Sequence, residues 1–290
     1  MARVPIPRAG ALAVAFALLL AGALSPAAVA AAGPIPESVN GVPFERYIQA
    51  HNHALGSQIR RVEGDDSTVR TKAQAMRSKQ TGRGGAARTV PGIDVSSHQG
   101  DVDWQRWWAE GKRFAYVKAT EGTYYTNPYH DGQSAGAHAV GMIRGSYHFA
   151  IPNGSSGAAQ ANYFVDNGGG WAPGGRTLPG ALDLEYNPYG DTCYGLSEEE
   201  MAAWIRDFSD TYRDRTGRYP VIYTSTSWWS QCVGVDFSAT NPLWVARYAA
   251  APGRMPYDWS YHTFWQYTST PIDQNAFNGS YDQLVLLATG

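Results

Sequence analysis

The sequence predicts an α/β fold whose parallel strands close into one barrel, with fewer helices in its last third. Three observations carry this. From Val90 onward, short apolar runs alternate with helical patterns, as the βαβ units of a parallel sheet require. Eight strand candidates fall within about 200 residues, enough to close a single barrel. After Thr224 the strand candidates come closer together and leave less room for helices. An open doubly wound sheet is the alternative. No G-x-G-x-x-G follows the first strand, which removes the usual reason to prefer it.

Pro91-Gly92-Ile93-Asp94-Val95-Ser96 forms the first strand, and the Trp-rich run from Asp103 to Ala109 the first helix. Phe114 to Thr120 is strand two, Pro128 to Val140 a helix, and Met142 to Phe149 strand three. Ser156 to Val165 is helical and Gly180 to Glu185 is strand four. Ser197 opens a long helix to about Arg215, because Glu200 stands three positions on, the spacing of a capping box. Pro220 to Thr224 is strand five. Leu243 to Arg247, Thr263 to Tyr267 and a last piece from about Ile272 to Phe277 complete the set. No internal repeat is evident.

The N-terminal stretch has a different character. Arg3 and Arg8 precede an apolar run from Ala11 to Leu24; Pro26 and a string of alanines follow. A charged start, a short apolar run and an A-x-A-type site are the parts of an export signal. The run is shorter than the roughly 20 residues a spanning helix needs. Residues 1–30 are therefore expected to be a signal peptide, and the chain to be secreted, extracellular or associated with the cell wall. Phe44 to Leu55 could form a short amphipathic helix. From Gln58 to Arg88 the composition is polar and basic, with little to bury. Residues 31–89 read as a linker or pro-segment, partly disordered, and residues 90–290 as the barrel. The string His51-Asn52-His53 lacks any surrounding metal or nuclease pattern.

Formal net charge is −2, which gives no reason to expect nucleic acid as a partner. The 10 Trp and 18 Tyr suit either core packing or a groove that stacks on flat, partly apolar rings such as sugars. Two cysteines, Cys193 and Cys232, are expected to form one disulfide in an exported chain. A metal or redox pair would want a C-x-x-C spacing or nearby histidines, and neither is present.

Four acids fall where the chemistry of a barrel would sit. Asp94 ends strand one, Asp183 and Glu185 end strand four, and Asp273 starts the last segment. The C-terminal ends of barrel strands converge on one face, where active sites of this architecture lie. Residues i and i+2 of a strand share a side, so Asp183 and Glu185 face the same way. Neighbouring carboxylates in apolar surroundings push their pKa values apart, leaving one proton donor and one anion. Glycoside hydrolysis uses that division of labour.

The words around these acids are more specific. Asp94-Val95-Ser96-Ser97-His98-Gln99-Gly100 with Trp104, Phe114 to Thr123, Gly145-Ser146-Tyr147-His148-Phe149, Leu182-Asp183-Leu184-Glu185 and Phe264-Trp265-Gln266-Tyr267 together closely resemble glycoside hydrolase family 25, the Chalaropsis-type lysozymes or N-acetylmuramidases. The resemblance runs from about Val90 to Gly290. It implies an irregular TIM-like (β/α)5β3 barrel and cleavage of the β-1,4 bond between N-acetylmuramic acid and N-acetylglucosamine in peptidoglycan. It implies Glu185 as general acid, with Asp94, Asp183 and Asp273 as the other catalytic carboxylates. Tyr147, Tyr223, Trp265 and Gln266 resemble substrate-binding residues of the cleft. The segments around Cys193 and Cys232 look like the cysteine-bearing segments of secreted actinomycete members. No metal or organic cofactor is implied. Peptidoglycan glycan strands are the expected partner of a monomer that binds no nucleic acid and, after signal cleavage, no membrane.

Lys118 and Glu121 match the family motif and are expected to form a structural ion pair. His98, His130, His138, His148 and His262 show no metal-ligand spacing; His98 and His148 are expected to be hydrogen-bonded groups near the site. Asp183 is too near Glu185 in sequence to attack the sugar from the opposite face. It is expected to act with the substrate's own 2-acetamido group, a recognised exception to the two-carboxylate scheme. The rival reading is a non-catalytic cell-wall binding protein on the same barrel, which predicts loss of a key acid; all four are present. A family 18 chitinase would need another Asp at the position of Ala181.

Overall fold

The barrel is built from strands β1 (Val90–Val95), β2 (Phe114–Glu121), β3 (Ile143–Phe149), β4 (Ala181–Asp183), β5 (Val221–Thr224), β6 (Leu243–Ala246), β7 (Phe264–Thr268) and β8 (Gln274–Phe277). The structure is a computed structural model and describes residues 38–39, 42–43, 53–65 and 89–290. The expected signal peptide, most of the expected 44–55 helix and the basic run after Asp65 lie outside the described residues.

Strands β1 to β7 pair in parallel in sequence order, and β8 runs antiparallel between β7 and β1, closing the ring. The short arm Tyr125–Thr126 adds to the outside of β2. Helices α2 (Trp104–Ala109), α3 (His130–Ala139), α4 (Gly157–Phe164), α5 (Glu198–Thr216) and α6 (Thr226–Cys232) follow the first five strands in turn. No helix separates β6, β7 and β8. This is the irregular TIM-like (β/α)5β3 arrangement expected from the sequence. Strand four is shorter than expected: it ends at Asp183, and Glu185 stands two residues beyond, although Leu184 N still donates to Tyr223 O at 2.9 Å.

Local chemistry accounts for the helix boundaries. Ser197 accepts from Glu200 N at 3.2 Å, and the Glu200 carboxylate accepts from Ser197 N at 2.8 Å. This capping box satisfies backbone donors that the first turn of α5 leaves orphaned. Helix α5 buries Met201, Trp204, Ile205, Phe208 and Tyr212, the three- and four-residue spacing of one helical face. It ends at Gly217, at φ 78°, where a residue without Cβ is favoured. The C-terminal helix α7 (Tyr281–Thr289) begins with a second capping box, Ser280 with Gln283. That S-x-x-Q spacing is visible in the sequence, yet the helix was not among the expected elements. Cys193 and Cys232 are joined as a disulfide, with Cα atoms 5.3 Å apart.

Strand alternation sorts the core into two layers. Ile93, Val95, Ala115 and Val117 point outward and pack under Trp104 and Trp107 of α2. The inward residues of the same strands build the barrel interior. At its lower end Phe114, Phe264 and Phe277 pack in succession as tilted ring pairs, with centroids 5.2 and 5.3 Å apart. Above them Tyr116 meets Trp244 at 4.7 Å. Gly145 makes room for that layer: a Cβ there would stand 2.4 Å from the Tyr116 ring. The uppermost inward positions carry polar groups instead of rings alone, and these form the site.

Candidate active site

Asp94, Lys118, Tyr147, Asp183, Tyr223 and Gln266 occupy inward positions toward the C-terminal ends of their strands, Asn275 sits at the same level near the start of the antiparallel β8, and all are buried. The aromatic layer beneath them excludes water from below. Asp94 accepts two amide N–H bonds on one oxygen, from Asn275 Nδ2 at 2.7 Å and Gln266 Nε2 at 2.9 Å. Burial pushes its pKa up to about 6, against the pull of those two bonds. Asn275 is fixed from its other end by Trp244 Nε1, which donates to its Oδ1 at 3.0 Å. Gln266 Oε1 accepts from the Tyr223 hydroxyl at 2.6 Å and also from the Tyr248 hydroxyl.

Asp183 is fully buried, and neither of its carboxyl oxygens has a hydrogen-bond partner among the described residues. Burial, then the neighbouring Glu185, raises its pKa well above the ordinary carboxylate range. A buried carboxyl without partners cannot hold a charge cheaply, so it carries its proton. Burial likewise raises Glu185, to about 7, although hydrogen bonds and Arg60 oppose it. Asp273, nearly buried beyond β7, is raised by burial and by Asp94. Lys118 and Glu121 form a fully buried ion pair at 2.6 Å. Burial alone would raise Glu121, but Lys118 and His53 more than offset it and hold it at about 2.

The structure thus brings together seven of the eight expected site residues: Glu185, Asp94, Asp183, Asp273, Tyr147, Tyr223 and Gln266. Trp265 does not join them. Its neighbour Gln266 faces inward, so alternation puts Trp265 on the outer side of β7, where its indole N–H donates to Arg247 O at 2.9 Å. His148 bridges Thr120 and Gln160 at 2.7 and 2.9 Å, the hydrogen-bonded placement expected of it. Tyr248 and Asn275 are the residues that sequence reasoning missed. Asn275 could have been found from its spacing, since it lies two positions beyond Asp273 at the start of β8.

The polar end of the barrel is not an open cleft, because residues 53–65 fill it. They carry a helix, α1 (Ser57–Glu63), whose first turn lies against Glu185. The Glu185 carboxylate accepts backbone N–H groups from Gly56 at 2.9 Å, Gln58 at 2.8 Å and Ile59 at 2.9 Å. Leu55 and Ile59 are buried, although the composition around Ile59 reads as polar and solvated. An open surface cavity of about 440 Å³ lies at the opposite end, around Asn241, Leu243, His262 and Thr263 where β6 and β7 begin, and contains none of the four acids. Among the described residues no group of His, Cys, Asp or Glu is arranged to hold a metal ion. No helix among them is long and apolar enough to cross a membrane.

Comparison with known proteins follows the same outline. Lysozyme M1 of Streptomyces globisporus is 42% identical over 279 residues, covering 93% of this chain and 90% of that protein. The N,O-diacetylmuramidase of Chalaropsis is 51% identical over 211 residues, which is 70% of this chain and 100% of that one. The solved muramidase from Acremonium alcalophilum superposes with a TM-score of 0.68 at 53% identity, covering 69% of this chain and 99% of its own. Residues 93–276, which span the barrel from β1 to β8 and include all four acids, match the pattern of Glycosyl hydrolases family 25, and the chain belongs to that family.

Proposed function

We propose that the chain is a secreted lysozyme of the muramidase type, hydrolysing the β-1,4 bond between N-acetylmuramic acid and N-acetylglucosamine in peptidoglycan. The observation that carries this is Glu185. It is a buried carboxylic acid whose pKa burial pushes up to about 7, so it holds its proton well above the ordinary carboxylate range, the poise a general acid needs. The lysozyme and muramidase names of the relatives above support the same substrate. Residues 1–30 act as the export signal, residues 31–89 as a pro-segment and residues 90–290 as the catalytic barrel. The enzyme works as a monomer on glycan strands, without cofactor, nucleic acid or membrane.

In this reading Glu185 gives its proton to the glycosidic oxygen as the bond to the muramic acid C1 breaks. The 2-acetamido carbonyl oxygen of the same sugar closes on C1 from the other face. The carbonyl oxygen of the Asp183 carboxyl accepts a hydrogen bond from the acetamido N–H, which supplies a partner its buried oxygens lack among the described residues. Water then attacks C1 and displaces the acetamido oxygen, while the Glu185 carboxylate takes a proton from that water and is restored as the acid. Asp94, held by Asn275 and Gln266, and Asp273 position the sugar and the water. Tyr147, Tyr223 and Gln266 offer hydrogen bonds to the sugar; Trp265 lies too far round its strand to stack on the same ring.

Mass spectrometry of reducing ends after peptidoglycan digestion tests the bond cleaved. Muramic acid at the new reducing end supports the reading, and glucosamine there refutes it. The first-formed anomer tests the acetamido route: retention is expected, and inversion excludes it.

A further inference from the structure

Residues 53–65 bind the barrel through the groups that the proposed chemistry needs. Three backbone N–H groups of the segment engage both oxygens of the Glu185 carboxylate. Arg60 Nη1 donates to Asp273 at 2.7 Å, and its guanidinium lies 5.4 Å from the Tyr248 ring centre. Leu55 N donates to the Tyr147 hydroxyl at 3.2 Å, and Gln266 Nε2 donates to Leu55 O at 3.5 Å. At one end His53 N donates to Glu121 at 3.0 Å, and Lys118 Nζ donates to His53 O at 2.5 Å. At the other, Glu63 accepts from Tyr186 at 2.9 Å and from Ser225 at 2.5 Å. Side chains from β2, β3, β5 and β7 and from the loops after β4, β6 and β7 therefore grip one short peptide along its whole length.

The fit is closest at Gly56. Its φ is +74°, a conformation L side chains rarely adopt, and a Cβ there would stand 1.9 Å from the Tyr248 hydroxyl and 2.3 Å from that of Tyr223. Only glycine lets the backbone come this close to Glu185. Leu55 and Ile59 flank it and are 0% and 1% exposed, so the segment is anchored by apolar burial as well as by hydrogen bonds. A solvated linker would need none of these features. A glycan strand and this peptide would use the same carboxylate and the same tyrosine and glutamine groups, so they cannot be bound together.

We propose that residues 53–65 are an autoinhibitory latch, an internal peptide that occupies the glycan-binding cleft and keeps the enzyme latent until it is displaced. This rests on the muramidase reading above. The latch is tied to β1 through the chain, so its effective concentration at the cleft is on the order of millimolar. That favours occlusion over free substrate while still permitting release when the tie is cut or the latch is weakened.

Clearing of a peptidoglycan suspension tests it with four preparations: the full chain, the full chain carrying Gly56→Val and Arg60→Glu, a fragment beginning at Thr89, and that fragment with a synthetic peptide of residues 53–65 added. The fragment is a fair preparation because 99% of the solved Acremonium muramidase matches 69% of this chain, about the share that the barrel makes up. The expected result is clearing at least tenfold slower by the full chain than by the fragment, recovery in the double variant, and inhibition of the fragment by the peptide but not by its Gly56→Val form. A gain of activity in the double variant cannot come from misfolding. Equal rates for full chain, double variant and fragment, with no inhibition by the peptide, overturn the latch and leave the muramidase reading standing. A folded fragment that clears nothing overturns the muramidase reading, and the latch with it.

Discussion

Arg60 Nη1 and Asp273 Oδ1 meet at 2.7 Å although 213 residues separate them in sequence. Their side chains are 23% and 7% exposed, so the pair is largely withdrawn from water. Burial and Asp94 both work against a charge on Asp273, and Arg60 is the group that opposes them. Breaking such a pair from one side leaves an uncompensated buried charge, which is far more costly than losing a surface ion pair. The contact therefore ties the segment carrying α1 to the loop before β8.

Arg60→Ala should loosen that segment before it loosens the barrel. Locally unfolding elements exchange their amide protons independently of the core. The amides of Gly56, Gln58 and Ile59, protected by their bonds to Glu185, should exchange at least tenfold faster in the variant. Protection in β2 and β3 should be unchanged. Hydrogen exchange read by mass spectrometry or NMR checks this, and unaltered protection at all three amides would show that Arg60 does not hold the segment.

Glu185→Gln removes the proton donor and keeps the side-chain shape. Loss of a general acid typically lowers the rate by about 10² to 10⁴. Measured on the fragment beginning at Thr89, clearing should fall by at least a hundredfold while the circular dichroism spectrum is retained. A variant that still clears within tenfold of the parent would sink the assignment of Glu185 as the acid.

Much of this arrangement was legible in the sequence, and the misses have physical reasons. Strand and helix order followed from alternating patterns, and the four acids followed from their places at strand ends. Trp265 stands beside Gln266 in one sequence motif, yet adjacent strand residues cannot both face inward, so the motif alone does not say which of them lines the barrel. Tyr248 is an ordinary tyrosine in the sequence; only the closed barrel brings it to Gln266. The role of residues 53–65 was hidden by composition. A polar, basic stretch reads as solvated, and Leu55, Gly56 and Ile59 are too few to signal burial without the cavity that receives them.

Stability should depend on pH with a maximum near about pH 4, where the two opposing sets of acids balance. Asp94 and Glu185 have folded pKa values of about 6 and 7, raised by burial above their ordinary values of 3.8 and 4.5. The folded state thus binds more protons than the unfolded state between about pH 4 and 7, so stability falls as pH rises from about 4 through 7. Asp183 and Asp273 are raised as well and act in the same direction. Glu121, held at about 2, acts oppositely: its contribution is lost as pH falls below about 4.5 toward 2. Thermal unfolding from pH 3 to 9 measures this. A melting temperature that rises between pH 6 and 8 would contradict the placement of the raised acids.

Asn275→Ala should be more harmful than its small size suggests. The side chain donates to Asp94 at 2.7 Å and accepts from Trp244 Nε1 at 3.0 Å. Truncation leaves the indole N–H without that acceptor and Asp94 with a single amide donor, Gln266. A buried donor left unsatisfied costs about 1–3 kcal/mol, so the urea midpoint should fall accordingly at pH 5. Asn275→Asp separates the two contacts. It restores an acceptor for Trp244 but sets a second carboxyl against Asp94, where two charges cannot both be held cheaply. Its stability should approach that of the parent at pH 5 and fall more steeply than that of the alanine variant as pH rises to 8. Parallel pH curves for the two variants would mean that the amide matters only for packing; diverging curves would assign it to the charge state of Asp94.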